Sequence, residues 1–246
     1  IRPRDWSSDV CSSDLDRWLA KKNLLAIEHE KRAVGICNAH LSREQVWIEG
    51  IRIHPEFRRH GYASELIVEV ENLAKRKKIS LARMIIAKNN KRSLGLAKKM
   101  GYQIESIWWL YNLHPKKQKS SAKLANSIQK LTILDSATYS ESWKWFTLDE
   151  TRIKKLGKSR RIIIYKDKKP DAMGIWNKSS VLDDDVLQLG YLSGTALGKR
   201  QILKFIQNKA YEQGKDRIQI LVPDELKVCI KGLDKRMLFC LLKKKL

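Results

Sequence analysis

The stretch IRIHPEFRRHGYASEL, residues 51–66, combines residue types that suit the binding of a pyrophosphate. Arg58 and Arg59 supply positive charge, Gly61 follows them, and the small residue Ala63 keeps the next turn thin. Backbone N–H groups that leave a strand and open a helix point outward, and the helix dipole adds partial positive charge. Because glycine has no side chain, it allows close approach of a ligand and an unusual backbone dihedral. The spacing therefore predicts an anion-binding bend between a strand and a helix.

Hydrophobic patterning around this bend predicts the elements that hold it. Apolar residues at positions 63, 66, 67, 70, 73 and 74 recur with the period of a one-faced helix. The other segments of the first half are predicted as two strands within 24–37 around a charged turn, strands at 46–53, 82–87 and 102–113, and a short helix at 92–100. This order of strands and helices predicts a mixed α/β sheet.

Two motifs in this region resemble those of a known enzyme family. The bend matches the pattern R/Q-x-x-G-x-G/A, and Ile53 to Phe57 precede it as hydrophobic-x-Pro-x-aromatic. Downstream, a second pattern N-x-x-A/S-x-x-L-Y-x-K-x-G-F/Y is matched at Asn90, Ser93, Leu96, Lys99, Gly101 and Tyr102. Over about residues 24–114 the chain therefore resembles the GNAT (Gcn5-related) N-acetyltransferase family.

The resemblance implies an acetyl-CoA site and direct acetyl transfer to an amine, without a metal ion. The strand before the bend would offer its backbone to the pantetheine arm and splay from the next strand, leaving a gap for the thioester. Asn90 and Ser93 would contact the cofactor or hold the small helix. The cofactor-binding residues implied in this way are Ile51, Arg52, Ile53, Arg58, Arg59, His60, Gly61, Tyr62, Ala63, Ser64, Asn90 and Ser93.

The chain departs from the family at two catalytic positions. Many members carry a tyrosine after the leucine of the second motif as a general acid toward sulfur, and Ala97 stands there. Some carry a glutamate base on the strand at 82–87, where this chain has Ile85. Tyr102 and Tyr111 are nearby in sequence, without any sign that either reaches the thioester.

Glu49, on the strand before the bend, is the remaining candidate for the catalytic base. Strand alternation predicts that it shares a face with Trp47, Ile51 and Ile53. A carboxylate that simply faces solvent is the alternative interpretation. His54 and His60 occupy variable positions of the motif, and we expect both to be surface residues.

The second half repeats the pattern of the first at an offset of about 137 residues. Strand patterns at 161–176, 186–194 and 217–223 and a helix around 202–210 follow the same order. This predicts tandem GNAT-like domains, each a mixed, mostly antiparallel, splayed sheet flanked by helices, at 16–114 and 128–246 with a linker at 115–127. The alternative is two unrelated α/β pieces.

The copy in the second half lacks the phosphate-binding motif, because no arginine lies three residues before Gly198. We therefore expect residues 128–246 to be a degenerate scaffold domain. A glycine-bearing loop that still binds some anion is the alternative.

The first fifteen residues, IRPRDWSSDVCSSDL, differ from the rest of the chain. They repeat SSD, lack lysine and show no periodicity. They resemble the translation of sequencing-adapter read-through, which predicts a non-native segment and a missing native start. A genuine disordered tail is the alternative.

The formal net charge of +23 predicts attraction to anionic partners, although solvated lysine-rich faces would give the same charge. No apolar run approaches the 18 residues of a membrane span. The four cysteines Cys11, Cys37, Cys229 and Cys240 are scattered, which favours reduced thiols in a cytoplasm and no metal site.

We therefore expect two substrates, acetyl-CoA and an amine acceptor that the sequence does not identify. The positive charge favours an acidic peptide or protein acceptor over polyamines. A specific nucleic-acid partner is not expected, since no nucleic-acid module is recognisable, and the oligomeric state stays open. The competing hypothesis is a catalytically weak or inactive module that binds acyl-CoA and regulates.

Overall fold

The computed structural model describes residues 12–125, 138–166, 170–178, 185–223 and 225–246. The chain divides into two compact units, one made of Ile1–Ser106 with Cys240–Leu246 and one made of Ile107–Phe239. The division falls inside a strand rather than in the segment predicted as a linker, and the end of the chain belongs to the first unit. The predicted domain bounds at 16–114 and 128–246 therefore stay a prediction.

In the part of the first unit that the structure describes, three α-helices accompany the strands of one mixed sheet. Its helices are α1 (Ser12–Ala20), α2 (Tyr62–Arg76) and α3 (Lys91–Lys99). Its strands are β1 (Leu24–His29), β2 (Arg32–Leu41), β3 (Val46–Ile53), β4 (Leu81–Ala87), the beginning of β5 (Gln103–Leu113) and the end of β13 (Leu233–Lys245). These bounds lie within two residues of the predicted ones except at the end of β2, which continues to Leu41, four residues beyond the predicted end at 37.

The strand order in this sheet is β1-β2-β3-β4-β13-β5. β1, β2 and β3 are antiparallel neighbours, whereas β3 and β4 run parallel, with α2 as the crossover between them. The apolar stripe of α2 meets the sheet at Leu66, Ile67, Val70 and Ala74, all of them buried. Burial of this stripe holds the beginning of α2 at the end of β3.

From α4 to β12, the second unit repeats the order helix, three strands, helix and strand of the first. Its helices are α4 (Glu150–Lys158) and α5 (Ala196–Glu212). Its strands are β6 (Lys123–Leu124), β7 (Thr138–Glu141), β8 (Lys144–Thr147), β9 (Ile162–Tyr165), β10 (Ala172–Lys178), β11 (Val186–Gly194) and β12 (Arg217–Val222), together with parts of β5 and β13. A mixed, mostly antiparallel sheet flanked by helices, as predicted, therefore forms both units.

The segment predicted as a linker is docked on the second unit as far as it is described. The hydroxyl of Ser120 donates to the backbone oxygen of Gln201 in α5 at 2.7 Å, and Lys123–Leu124 pairs with β9. Residues 126 and 127 of the predicted linker lie outside the described residues. Lysine and serine composition therefore did not distinguish this docked segment from a free one.

The structure corrects the expectation that residues 1–15 lack periodic structure, because α1 begins at Ser12. Trp18 of this helix is buried, with 7% of its surface exposed. Residues 1–11, Cys11 among them, lie outside the described residues. In the part of the chain that the structure describes, no helix is both long and apolar enough to cross a membrane.

Candidate active site

β3 and β4 separate partway along their length. They pair in parallel from Val46 opposite Ala82 to Ile48 opposite Met84, and the pairing ends there. Both strands nevertheless continue, β3 to Ile53 and β4 to Ala87. The backbone groups on the facing edges of these continuations are thus not used by the β3–β4 ladder, and a gap opens between the strands.

A β-bulge lies at the start of the gap. Across the antiparallel β2–β3 pair, Asn38 faces Glu49 and Ile36 faces Arg52, so β3 contains one residue more than β2 between these pairs. Gly50, which has a φ of +66°, lies within this extra step. The indole of Trp18 covers it, since a Cβ at position 50 would lie 2.2 Å from Trp18 Cη2.

The bulge corrects the predicted facing of Glu49. Opposite residues of an antiparallel pair share a face, so Glu49 and Arg52 lie on one face with Asn38 and Ile36. Ile53 pairs with Gly35 on the other face, where α2 packs. Simple alternation put Glu49 with Trp47, Ile51 and Ile53. It was right for Trp47, which lies opposite His40, and wrong for Ile53, because the inserted residue reverses the alternation.

The bend between β3 and α2 presents unpaired backbone amides. A short 3₁₀ turn at Pro55–Phe57 follows β3, and the Nε of Arg58 donates to the backbone oxygen of Ile53 at 3.2 Å. Within the described chain, the amides of residues 59–63 donate to no protein acceptor, whereas those of Ser64 and Glu65 donate to the oxygen of Gly61. Residues 58–61 are exposed. This arrangement can accept an anion at the start of α2.

Gly61 is required at the bend by its backbone conformation rather than by crowding. Its φ is +91°, in the left-handed region that disfavours side chains, while a Cβ there would meet only Glu65 Oε1 at 3.7 Å. Arg59 adopts a positive φ of 74° next to it. Because Gly61 is the N-cap of α2 and offers no capping side chain, the first turn of the helix stays open to a ligand.

A cleft of about 700 Å³ joins the gap, the bend and α3. It brings together all but one of the residues that the sequence nominates, including Glu49. Those lining it are Glu49, Ile51, Arg52, Ile53, Arg58, Arg59, Gly61, Tyr62, Ala63, Ser64, Asn90 and Ser93. His60 is the exception, because its exposed side chain lies outside the lining.

The cleft also has lining residues that the sequence analysis did not nominate. Arg92 and Lys99 of α3 add positive charge, and Phe57 adds an aromatic ring. All three lie within or directly beside the two motifs, so proximity to the motifs was the available signal. Asn90 itself caps α3, since its Oδ1 accepts from the amide of Ser93 at 3.1 Å.

The Glu49 carboxylate is held by two neutral donors. Asn38 Nδ2 donates to Oε1 at 2.7 Å, and the indole Nε1 of Trp47 donates to Oε2 at 2.9 Å. Asn38 and Trp47 are 2% and 0% exposed, whereas Glu49 is half-buried and reaches the cleft. The carboxylate is therefore oriented at the start of the gap rather than free in solvent.

The cleft lining contains no tyrosine hydroxyl from α3. Ala97 is buried at the position where the family resemblance implies an acid. Tyr102 is buried in the core of the first unit, where burial and the neighbouring carboxylate Glu71 raise its pKa far above the ordinary value. Tyr111 lies in the second unit, and its hydroxyl accepts from the amide of Leu226 at 3.1 Å. Neither tyrosine lines the cleft.

The two histidines of the first motif differ in exposure. The His54 side chain is only 15% exposed, and its ring packs against Phe57 and lies 3.3 Å from a guanidinium nitrogen of Arg32. The expectation of a surface residue was wrong for His54, because the β1–β2 hairpin covers it. For His60 it was right, since that side chain is exposed.

Solved acetyltransferase structures share this architecture over most of the chain. A candidate acetyltransferase from Thermoplasma acidophilum is 15% identical, with a TM-score of 0.66 over 97% of this chain and 84% of that chain. A GCN5-related N-acetyltransferase from Sphaerobacter thermophilus is 12% identical, with a TM-score of 0.58 over 91% of this chain and 80% of that chain. A GCN5-related N-acetyltransferase from Anabaena variabilis is 13% identical, with a TM-score of 0.52 over 97% and 67%. At these identities the likeness shows a common fold, that of the Gcn5-related acetyltransferases.

The family assignment comes from the sequence of the first unit. Residues 2–102 match the Acetyltransferase (GNAT) family, so this part of the chain is a GNAT acetyltransferase domain, as the two motifs predicted. The match begins at residue 2 and so includes most of the fifteen residues expected to be non-native. No curated protein sequence matches the chain.

Proposed function

We propose that the chain is an N-acetyltransferase that moves the acetyl group of acetyl-CoA to a primary amine in the cleft of the first unit. The observation that carries this proposal is the separation of β3 from β4 after Ile48 and Met84, next to a helix start with bare amides. A thioester can lie between the separated strands while a phosphate group rests at the beginning of α2.

The cofactor would be held mainly by backbone and by positive charge. The amides of residues 59–63, which donate to no backbone acceptor, would donate to the pyrophosphate, and Arg58, Arg59 and Arg92 line the same cleft. The edge of β3 at residues 51–53, which leaves the β3–β4 ladder, would pair with the pantetheine arm. Such contacts depend on charge, shape and backbone geometry, so the site suits coenzyme A irrespective of the acceptor.

Glu49 is the proposed base. It would take a proton from the ammonium form of the acceptor, directly or through one water molecule, and become a neutral carboxylic acid. The freed nitrogen attacks the acetyl carbonyl carbon, a C–N bond forms, the nitrogen loses its second proton to solvent, and the C–S bond breaks. The sulfur leaves as a thiolate and takes a proton from solvent, because no tyrosine from α3 lines the cleft.

A second candidate function rests on Ala97. With a buried methyl group where an acid would stand, the domain would bind acyl-CoA and turn over slowly or not at all. It would then act as a sensor or a regulatory module. Both functions require binding of the cofactor, but only the first includes transfer of the acetyl group to an amine.

Thermal unfolding tests cofactor binding. Acetyl-CoA at about 100 times its Kd should stabilise the chain by about 2.7 kcal/mol, or a rise in Tm of about 5 °C. Gly61→Glu should abolish this rise, because it places a carboxylate and a strained backbone at the phosphate position. Gly214→Glu is the matched control, since Gly214 also has a positive φ with open space around it but lies in the second unit. A wild-type chain without any rise would contradict the proposal.

Release of free thiol from acetyl-CoA tests catalysis. A lysine peptide with acidic neighbours is the first acceptor to try, given the net charge of +23, and spermidine is the comparison. Glu49→Gln should lower kcat by roughly 10²-fold or more while the Tm rise with acetyl-CoA is retained. A Tm rise without amine-dependent thiol release would favour the binding module.

A further inference from the structure

Two of the most buried polar side chains of the first unit, Asn38 and Trp47, have their donors directed at Glu49. Asn38 lies directly opposite Glu49 in the β2–β3 ladder, and Trp47 precedes it by two residues on the same face. Each carboxylate oxygen receives one donor, at 2.7 Å from Asn38 Nδ2 and at 2.9 Å from Trp47 Nε1. The two donors together fix both the position and the rotation of the carboxylate.

The orientation of the Asn38 amide toward Glu49 costs stability at Asn38 itself. Its Oδ1 is buried without a hydrogen-bond partner in the described part of the chain. A buried polar atom without a partner lowers stability, and such atoms in native proteins call for an explanation. Turning the amide over would point this oxygen at the carboxylate, so the ionised Glu49 determines which way Asn38 lies. A function at Glu49 explains why the cost is retained.

Asn38 and Trp47 are neutral donors to Glu49. Glu105, another carboxylate of the first unit, is instead held by the guanidinium of Arg83 at 2.8 and 2.9 Å and by Lys243 at 3.3 Å. Hydrogen bonds donated to a carboxylate favour its ionised form, which is the form that accepts a proton. The amide and the indole can therefore orient Glu49 in the form that a base requires.

We propose that Asn38 and Trp47 are positioning residues that hold Glu49 in the orientation needed to accept a proton in the cleft. This inference rests on the proposed role of Glu49 as base in acetyl transfer. Arg52 lies on the same face of β3 as Glu49, whereas Cys37, next to Asn38 in β2, lies in the core on the other face. Burial and the charge of Glu49 raise the pKa of the Cys37 thiol to about 12, so it stays protonated.

The indole N–H resonance of Trp47 provides a test that needs no acceptor. In the ¹⁵N-labelled chain it should be identified by its loss in Trp47→Phe. Glu49→Gln should move it, because the charged carboxylate oxygen that accepts from the indole is replaced by an amide group. A Trp47 resonance that is the same in wild type and Glu49→Gln would overturn the proposal.

Kinetics then separate positioning from a merely structural role. Asn38→Leu should lower kcat about tenfold or more and leave the KM for acetyl-CoA unchanged, since a misplaced base slows the reaction without affecting the cofactor. Asn177→Leu is the matched control, because Asn177 is also buried, at 3% exposed, but lies in the second unit. It should lower stability without altering kcat or the Trp47 resonance. Equal kcat in Asn38→Leu and wild type would contradict positioning.

The two proposals fail in different ways. If acetyl-CoA produces no Tm rise, the proposed function is contradicted whatever the resonance does. If acetyl-CoA binds and thiol is released at the wild-type rate in Glu49→Gln, the base role fails, and positioning by Asn38 and Trp47 fails with it. If acetyl-CoA binds and Glu49→Gln slows thiol release but leaves the Trp47 resonance unchanged, only the positioning role is contradicted.

Discussion

At the scale of single residues, Glu105 shows how cationic partners hold a carboxylate in a structural role in the first unit. Glu105 is 14% exposed and shared between the fork of Arg83 and the ammonium of Lys243. Burial alone would raise the pKa of Glu105, but the hydrogen bonds and charges of Arg83 and Lys243 outweigh it, so this pKa lies below its ordinary range. Glu105 is therefore part of the frame of the unit.

This ion pair predicts acid sensitivity of the first unit. A carboxyl group with a depressed folded-state pKa contributes stability that is present above its unfolded pKa of about 4.3 and is lost as pH falls through the folded value. Glu105→Gln should cost about 3 kcal/mol at pH 7, because it leaves the buried Arg83 charge without its carboxylate partner. The variant should also lose less stability than wild type below pH about 4.

Urea unfolding at pH 7 and at pH 3 measures both effects. Glu69→Gln is a suitable control, since Glu69 is also paired with an arginine, Arg76 at 2.7 Å, but both side chains are exposed. It should leave the free energy of unfolding nearly unchanged, because exposed ion pairs are screened by solvent. Equal acid sensitivity of Glu105→Gln and wild type would contradict the assignment.

At the scale of elements, the end of β13 completes the first unit. Cys240 and Leu242 are each 2% exposed and lie in its hydrophobic core with Leu66 and Met84. Lys244 Nζ lies 2.7 Å from the carboxylate of the buried Glu71, and the amide of Leu246 donates to Ser80 at 3.0 Å. The strand that lies beside β4 on the side away from the gap thus comes from the last residues of the chain.

Truncation of Leu242 should therefore destabilise a unit that is almost wholly encoded at the other end of the chain. Leu242→Ala should cost about 3 kcal/mol, the usual loss for a buried leucine. It should also weaken the Tm rise with acetyl-CoA, since β4 is one wall of the cleft. Leu197→Ala, at a position 53% exposed, should change stability by less than about 0.5 kcal/mol. Similar midpoints for the two variants in urea would contradict this view of β13.

At the scale of the whole molecule, the two units share one plan. In the second unit β11 and β12 pair from Val186 opposite Arg217 to Leu189 opposite Ile220, and both strands continue beyond. A bulge again lies at this point, because Ile175 faces Tyr191 and Trp176 faces Leu189. Gly190 is therefore the inserted residue of this bulge, and it corresponds to Gly50 in the bulge of the first unit. The shared bulge supports duplication over two unrelated pieces.

The second unit fills with its own chain the helix start that is open in the first. At the start of α5, the amide of Thr195 donates to the oxygen of Asp171, and the Thr195 hydroxyl accepts from Gly198. The helix start is thus already capped by protein groups. A cavity of about 360 Å³ beside it is lined by Lys199 and Lys227 but also by Glu225, whose carboxylate repels phosphate.

Acetyl-CoA should consequently bind once per chain. Isothermal titration of the full chain should give a stoichiometry of one, and Gly61→Glu should reduce it to zero. A Gly198→Glu variant should retain a stoichiometry of one, provided that it folds. A stoichiometry of two in wild type, or binding that survives Gly61→Glu, would contradict a closed second unit.

Several features of this protein were predictable because they depend on residues close together in sequence. The bounds of β3, the positive φ of Gly61 and the capping of α3 by Asn90 follow from local spacing and from the conformations that glycine and asparagine favour. The gathering of the two motifs around one cleft followed from family resemblance. Comparison with the family motif also indicated that the second half has lost its phosphate-binding motif, because no arginine lies three residues before Gly198.

Other features were decided only by tertiary structure. The bulge at Gly50 exists only relative to β2, because an inserted residue is defined by the partner strand, and it set the face of Glu49. The place of β13 in the first unit and of Trp18 over Gly50 depends on contacts between residues far apart in sequence. Local pattern shows which residues favour strand or helix, but the free energy of burial, summed over distant partners, selects which strand lies beside which.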